Sequence, residues 1–516
     1  MADLQPTSDS GISGALLPPD ILRLVGDSCP KKDTCSLALT CRSLFNLLVP
    51  VLWEVLDGPE KILSLIPGAK VHRVNYETIG NGTTISSKIM IYPNTLSKDW
   101  TRYWFYARYV KRLTAVRCEY IAGQPRISCS VHGWNTLFQI LKGPVLLPNL
   151  RVLEFSLVDN TPIGALQLLS WFTLFLSPSL QEISIAHKQD SVPEFPTSPA
   201  VLLVTSLAAA LPEAKRMDLS SHYNFPTESS LSSFCPSGYR ERYSWFTHLP
   251  NLTGLSSLSI HDPGFSARPE DGLLILGHLP YLESLSIRCD PDSRTEGTLS
   301  FPPDFFPCLR CFALASSIQM FRYIWRLSAM VSKLVTVTLR FIDTAVTHKE
   351  FQTDVISALA KHSAGVRHLS LSQPQCSITP GGKPIEIELG FELVSQLPLQ
   401  SLSMCLAGAE ATEGFYFANR RPSFPALHHL KLVDPINLPH LRTIARMFPN
   451  LISLEFFYKD STWEASDESV CELRSFAAQQ QIKIDATLYN DDREDARNDL
   501  TRILGALWPN ASRIKV

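Results

Sequence analysis

The sequence predicts an α/β solenoid, in which short parallel strands line one side and helical or irregular stretches return the chain along the other. Three observations carry that expectation. The chain has 516 residues, too many for one compact core, because such cores stop growing at about 250–300 residues. An eight-residue pattern of proline and spaced apolar residues recurs along most of its length. Within each copy the last two apolar residues alternate with period two, as they do in a strand with one buried face.

The clearest copies are PNLRVLEF (148–155), PSLQEISI (178–185), PYLESLSI (280–287), PCLRCFAL (307–314), PALHHLKL (425–432) and PNLISLEF (449–456). Looser copies are PEAKRMDL (212–219), LTGLSSLSI (252–260), SKLVTVTL (332–339), AGVRHLSL (364–371) and LPLQSLSM (397–404), with KRLTAVRC (111–118) ahead of them. The first apolar residue packs where the chain enters the strand. Proline lacks an N–H and stops the helix of the preceding repeat. Return helices are expected at Leu166–Leu176, Val201–Leu211, Asp354–Lys361 and Leu438–Met447. These are the features of a leucine-rich repeat array, a horseshoe with a parallel concave sheet, over residues 111–488. The Asn or Cys that follows the strand in regular repeats is mostly missing, so the array is expected to be irregular. Gln481–Leu488 (QIKIDATL) reads as its last strand. A capping helix follows within residues 489–516, near Arg493–Leu507, with Ala496, Leu500, Ile503, Leu504 and Leu507 inward.

Composition narrows the function. Charged residues are 19% of the chain and the net charge is −2, without the basic excess that displaces counterions from phosphates, so no nucleic-acid partner is expected. Residues 1–15 lack the basic and apolar regions of a secretory signal, and residues 1–14 read as a disordered tail. No run of 18 apolar residues occurs, so no membrane span is expected. Twelve scattered cysteines suit a reducing cytoplasmic or nuclear compartment better than a disulfide scaffold.

Residues 15–57 read as three small helices. Pro18 and Pro19 open the first, where proline is tolerated, and Ile21, Leu22, Leu24 and Val25 follow at helical spacing. A loop over Cys29–Asp33 precedes a second helix from Thr34 to Leu48. Val49-Pro50 interrupts, and Leu52, Trp53 and Val55 begin the third. A core this small leaves apolar surface for a partner to cover.

Leu17-Pro18, Ile21-Leu22, Leu37-Ala38-Leu39-Thr40-Cys41-Arg42 and Leu52-Trp53 together resemble an F-box of the type found in fungal proteins. The aromatic block Asp99–Leu113 (DWTRYWFYARYVKRL) is similar to a segment that basidiomycete F-box proteins carry ahead of their repeats. The resemblance implies binding to a Skp-type adaptor and, through it, a cullin-based SCF ubiquitin ligase. It gives Leu17, Pro18, Ile21, Leu24, Leu37, Leu39, Cys41, Leu44, Leu48 and Trp53 the shared roles of core and adaptor contact. Residues 58–110 are then a linker ending in an aromatic cap. Arg102, Arg108, Lys111 and Arg112 of that block are able to stack bases, but capping is the expected role.

No catalytic motif is present: there is no phosphate-binding glycine loop, nucleophile elbow or H-E-x-x-H. Cys308-x-x-Cys311 lacks the second pair that a zinc site needs. Neither an enzyme nor a cofactor or metal is expected. The ligand of the array is expected to be a protein held on the concave face, where the third, fifth and seventh residues of each copy point. Fifth positions are mostly Ala, Ser or Thr, flanked by larger groups. The candidate contacts are Arg216, Asp218, His261, Arg288, Arg340, His368, Lys431, Glu455 and Phe457, because arginine and aromatic residues anchor protein interfaces. Insertions at 191–200, 221–247 and 373–383 are expected rims. The function expected is substrate recognition for ubiquitylation; a repeat scaffold that recruits no ligase is the alternative.

Overall fold

Each octapeptide folds as a short strand whose first apolar residue is buried just before the strand begins. Leu150, Leu180, Leu255, Leu282, Leu309, Leu334, Val366, Leu399, Leu427 and Leu451 are all buried in this position. The computed structural model describes residues 18–78, 82–91, 99–116, 126–133, 137, 145–156, 172–186, 205–209, 214–219, 245–261, 269–289, 301–302, 304–342, 351–372, 391–405, 424–458, 467–478, 480–488 and 494–516. The expected tail 1–14, Leu17 and most of the three expected rims lie outside these residues. The chain divides into two units, Met1–Val192 with His222–Pro226, and Pro193–Ser221 with Thr227–Val516.

The first unit contains α1 (Pro19–Ser28), α2 (Lys31–Ala38), α3 (Arg42–Glu54), β1 (Val55–Asp57), α4 (Glu60–Leu63), β2 (Lys70–Thr78), β3 (Gly82–Met90), α5 (Thr101–Ala107), β4 (Arg112–Val116), β5 (Arg126–His132), β6 (Val152–Ser156) and β7 (Glu182–Ala186). Strands β1, β4, β6 and β7 are neighbours in that order and all pairs are parallel. Strands β2 and β3 form an antiparallel pair, and β5 joins β3 in parallel.

Three expectations are corrected here. The array does not begin at residue 111, because β1 at Val55–Asp57 already pairs with β4. The segment 58–110 is not a linker, since it holds α4, β2, β3 and α5. The break in the N-terminal helices falls at Leu39–Cys41, where Cys41 is extended (φ −155°, ψ 162°), and α3 runs through Pro50. A proline inside a helix costs about 3 kcal/mol. Burial of Leu48 and Val49 and the packing of Trp53 on Tyr106, with ring centroids 4.4 Å apart, offset it.

The second unit contains β8 (Arg216–Leu219), β9 (Ser257–His261), α6 (Pro269–Gly277), β10 (Ser284–Arg288), β11 (Cys311–Ser316), α7 (Ile318–Trp325), α8 (Ser328–Val331), β12 (Thr336–Phe341), α9 (Ser357–His362), β13 (His368–Ser372), α10 (Phe391–Val394), β14 (Ser401–Cys405), β15 (His429–Ile436), α11 (Leu438–Met447), β16 (Ser453–Tyr458), α12 (Asp467–Arg474), β17 (Lys483–Leu488), α13 (Glu494–Leu507) and β18 (Arg513–Lys515). Strands β8 to β18 are neighbours in chain order, and the register of each described pair is parallel. The last expected strand and the capping helix are present as β17 and α13. The helix is not the end of the array, because β18 follows it and pairs with β17.

One backbone device sets the register of most rungs. The N–H groups of two consecutive residues at the strand entrance donate to a single carbonyl of the preceding repeat, which has two lone pairs to accept them. Glu283 and Ser284 donate to Ser256 at 2.8 and 3.0 Å. Arg310 and Cys311 donate to Glu283, Val335 and Thr336 to Arg310, Arg367 and His368 to Val335, and Gln400 and Ser401 to Arg367, all within 3.1 Å. The pattern is the same in the first unit, where Arg151 and Val152 donate to Lys111. Because most rungs repeat this lock, a one-residue slip would break it and turn every buried side chain outward.

The core lies between strands and return helices. Phe312, Phe321, Trp325 and Phe341 are fully buried together, with Phe321 and Trp325 stacked at 4.3 Å. The Trp325 indole N–H donates to Ser363 Oγ at 3.1 Å, so its one polar atom is satisfied. The expected helix at Asp354–Lys361 is split between a π-helical turn, Phe351–Ile356, and α9.

Candidate functional site

Two surfaces follow from this fold. The first is on the N-terminal helices. Thr34 Oγ1 bonds the Gly26 carbonyl at 3.2 Å, which ties α2 to α1. A methyl at Gly26 would sit 2.9 Å from Leu48 Cδ2, so α1 lies close against α3. Leu48 is therefore core, and Leu37 and Leu44 are half-buried. Trp53 is occupied by Tyr106, and Phe45 stacks on Phe105 at 6.4 Å. The aromatic block thus acts as a brace for α3. Tyr103 of α5 is buried, donates to the Leu146 carbonyl at 3.0 Å, and has its hydroxyl pKa pushed up by that burial.

Several apolar side chains also remain outward. Among the described residues eight large apolar side chains are exposed, and four belong to this module: Ile21 (44%), Leu24 (64%), Val25 (36%) and Leu39 (80%). Pro18 and Cys41 are exposed beside them. Burying a leucine contributes about 1.5–3 kcal/mol, so a leucine left four-fifths exposed at a helix end is a residue for which folding found no use.

The module is joined directly to the sheet. Helix α3 leads into β1 with no intervening loop. Lys31 Nζ donates to the Val55 carbonyl at 2.9 Å and lies 3.9 Å from Asp57. Glu54 receives Lys111 at 3.0 Å and Arg23 at 3.8 Å. Arg112 pairs with Glu154, and that hydrogen bond, with Glu182 and Asp57 nearby, raises its pKa above the ordinary guanidinium value. Arg108 lies over the Phe105 and Tyr109 rings at 4.9 and 4.7 Å. Arg108, Lys111 and Arg112 of the aromatic block are thus engaged within the protein.

The second surface is the outward side of the strands. Register places the candidate contacts in three rows. Arg216 and His368 share a row with Ser257, Ser284, Cys311, Thr336, Ser401 and His429. Asp218, Lys431 and Glu455 lie in the next, and His261, Arg288 and Arg340 in the last. Asp218 and His261 are placed by strand register alone. The nine residues are therefore not one cluster. Lys431 and Glu455 pair with each other on the outward side. Phe457 is half-buried and pairs with Pro435 across a register shift. Missed in the sequence were Asp485 and Lys515, which carry the same paired pattern one and two strands further, 3.6 Å apart.

Among the described residues no group of three or more His, Cys, Asp or Glu is arranged to hold a metal. No helix among them is long and apolar enough to cross a membrane. Cys308 lies in the turn before β11 and Cys311 is its first residue, so only Cys311 is in the strand.

The parallel rungs, the buried leucine positions and the shared-carbonyl lock define an α/β solenoid of the leucine-rich repeat class. No family model matches the chain, and no curated protein matches it. The chain is similar to the solved leucine-rich repeat-containing protein LegL7 from Legionella pneumophila, at 12% identity and a TM-score of 0.32, over 71% of this chain and 93% of that one.

Proposed function

We propose that this protein is a non-catalytic recognition subunit whose N-terminal helices bind a Skp-type adaptor, and through it a cullin-based SCF ubiquitin ligase, while the strand face holds a protein substrate. In this reading the chain performs no chemistry; it supplies proximity, and other subunits of the ligase transfer ubiquitin in the cytoplasm or nucleus. The supporting observation is the exposed set Ile21, Leu24, Val25 and Leu39, half of the exposed large apolar side chains described, on the segment that resembles an F-box. A stable protein interface covers about 800 Å² per partner with an apolar centre, and one face of three short helices is of the size to provide it.

Co-purification with a purified Skp-type adaptor tests the proposal. Leu24→Asp with Leu39→Asp is expected to abolish it without changing the melting temperature, since both side chains are exposed. A specific observation favours the second reading, a repeat scaffold that recruits no ligase. Helix α3 is braced by α5 and fused to β1, as a purely structural cap would be. Absence of adaptor binding by the wild-type chain selects it.

A further inference from the structure

We propose that β1 and β18 are complementary open edges through which copies of this chain can join head to tail, and that Lys31 is the latch that holds them apart. The inference does not depend on the adaptor reading. Among the described residues β1 is hydrogen-bonded to β4 alone and β18 to β17 alone. Each is a strand of three residues, Val55–Asp57 and Arg513–Lys515. In a parallel ladder one residue turns its N–H and C=O to one neighbouring strand, and the next residue turns them to the other side. The Lys111 N–H donates to the Glu54 carbonyl at 2.9 Å, so Glu54 and Leu56 face β4 and Val55 and Asp57 face the open side. The Ser512 N–H donates to the Ile482 carbonyl at 2.8 Å, so Ser512 and Ile514 face β17 and Arg513 and Lys515 face the open side. Unpaired edge groups of this kind are a template for another strand.

The two edges match in direction, pattern and charge. Both strands are parallel to their neighbours, so the ladder continues in the same sense when β18 of one copy lies parallel to β1 of the next. The register that extends both pairs sets Arg513 beside Val55, Ile514 beside Leu56 and Lys515 beside Asp57. Ile514 and Leu56 then carry on the inward row of Ile484 and Leu113; Leu56 is buried and Ile514 half-buried. On the outward row Lys515 lies 3.6 Å from Asp485 and would gain Asp57 on its other side. A cation between two carboxylates is favourable where like charges in line would repel.

Lys31 stands in the way. Its ammonium takes the Val55 carbonyl at 2.9 Å and lies 3.9 Å from the Asp57 carboxylate. It thereby occupies an outward acceptor of the β1 edge and the acid that Lys515 would meet. A lysine set against an edge strand guards it from pairing with another edge. Val55, Asp57, Arg513 and Lys515 are all exposed. The joint rests on three residues a side, against about 20–30 in a standard interface, so the association it gives is weak and depends on concentration.

Sedimentation velocity of the full-length chain at low salt, from about 1 to about 100 μM, tests this. Wild type should sediment as one chain throughout. Lys31→Met keeps the length of the side chain but removes its donors and charge, and should raise the average mass as concentration rises. Adding Lys515→Pro should return that variant to a single chain. Proline removes an outward N–H of the β18 edge and the cation facing Asp57, and it is tolerated where the N–H points to solvent, so the bonds to β17 stay in place. Aggregation of a misfolded Lys31→Met chain would survive the second substitution, so the double variant separates edge pairing from misfolding. Lys31→Met that sediments as one chain at about 100 μM overturns the inference. Association that Lys515→Pro leaves intact, as pairing of β1 with β1 of another copy would be, overturns it too. So does wild-type association as strong as that of Lys31→Met, since the latch would then hold nothing back.

Discussion

The backbone N–H of Lys111 donates to the Glu54 carbonyl at 2.9 Å, and its ammonium lies 3.0 Å from the Glu54 carboxylate. This contact joins the end of α3 to the start of β4 across 57 residues of sequence. It makes the N-terminal helices part of the first unit. Solenoid stability is a sum over neighbouring rungs, so removing residues 1–57 removes β1 and exposes the edge of β4. The sequence alone suggests that this truncation leaves the array untouched. The structure predicts instead a lower melting temperature and faster amide exchange in 112–116 and 152–156, with strands beyond residue 300 protected as before. Hydrogen exchange read by mass spectrometry separates the two outcomes.

Packed and exposed residues of the module should part company on substitution. Trp53→Ala removes the ring held against Tyr106 and should cost about 2–4 kcal/mol of stability. Leu39→Ala, at 80% exposure, should change stability by less than about 0.5 kcal/mol. Urea unfolding of both variants measures this. Equal costs would mean that Leu39 is packed.

His440 supplies a pH dependence. It is buried in α11, and its Nδ1 accepts the N–H of Asn437 at 3.2 Å, a bond that only an unprotonated Nδ1 can make. Burial pushes its pKa down to about 4 from 6.5. A base with a depressed folded pKa favours folding above its unfolded value, so this contribution is complete above pH 6.5 and is lost as pH falls toward 4. Melting temperature should drop over that window. His440→Gln should flatten that part of the profile, and an unchanged slope would remove His440 as its source.

Gly277 ends α6 against a ring. A methyl there would lie 2.2 Å from Phe305 Cδ1, and Phe305 is buried and packed on Phe301 and His278. Overpacking of this kind costs about 1–3 kcal/mol. Gly277→Ala should therefore lower the unfolding midpoint despite alanine's better helix propensity. A raised midpoint would show that the ring yields freely.

The array was legible because its signal repeats. A single L-x-x-L-x-L is weak, but burial of the same position in rung after rung cannot be satisfied by another fold. The elements that escaped lack that redundancy. Val55–Asp57 and Arg513–Lys515 are strands of three residues, too short to show alternation. Pro50 signals a helix break by local rule, and only the packing of Trp53 on Tyr106, far away in sequence, overrides it. The rows of outward residues were legible as types but not as neighbours. That Lys431 and Glu455 neutralise each other while Arg340 stays open depends on register, which the sequence does not print.

The most direct test of the account is a titration of the full-length protein with a purified Skp-type adaptor by calorimetry. The account predicts saturable one-to-one binding at micromolar affinity or tighter, with negative heat-capacity change from apolar burial. It also predicts at least about tenfold weakening by Leu39→Asp with an unchanged melting temperature. No binding at tens of micromolar, or binding that Leu24→Asp and Leu39→Asp leave intact, would contradict it.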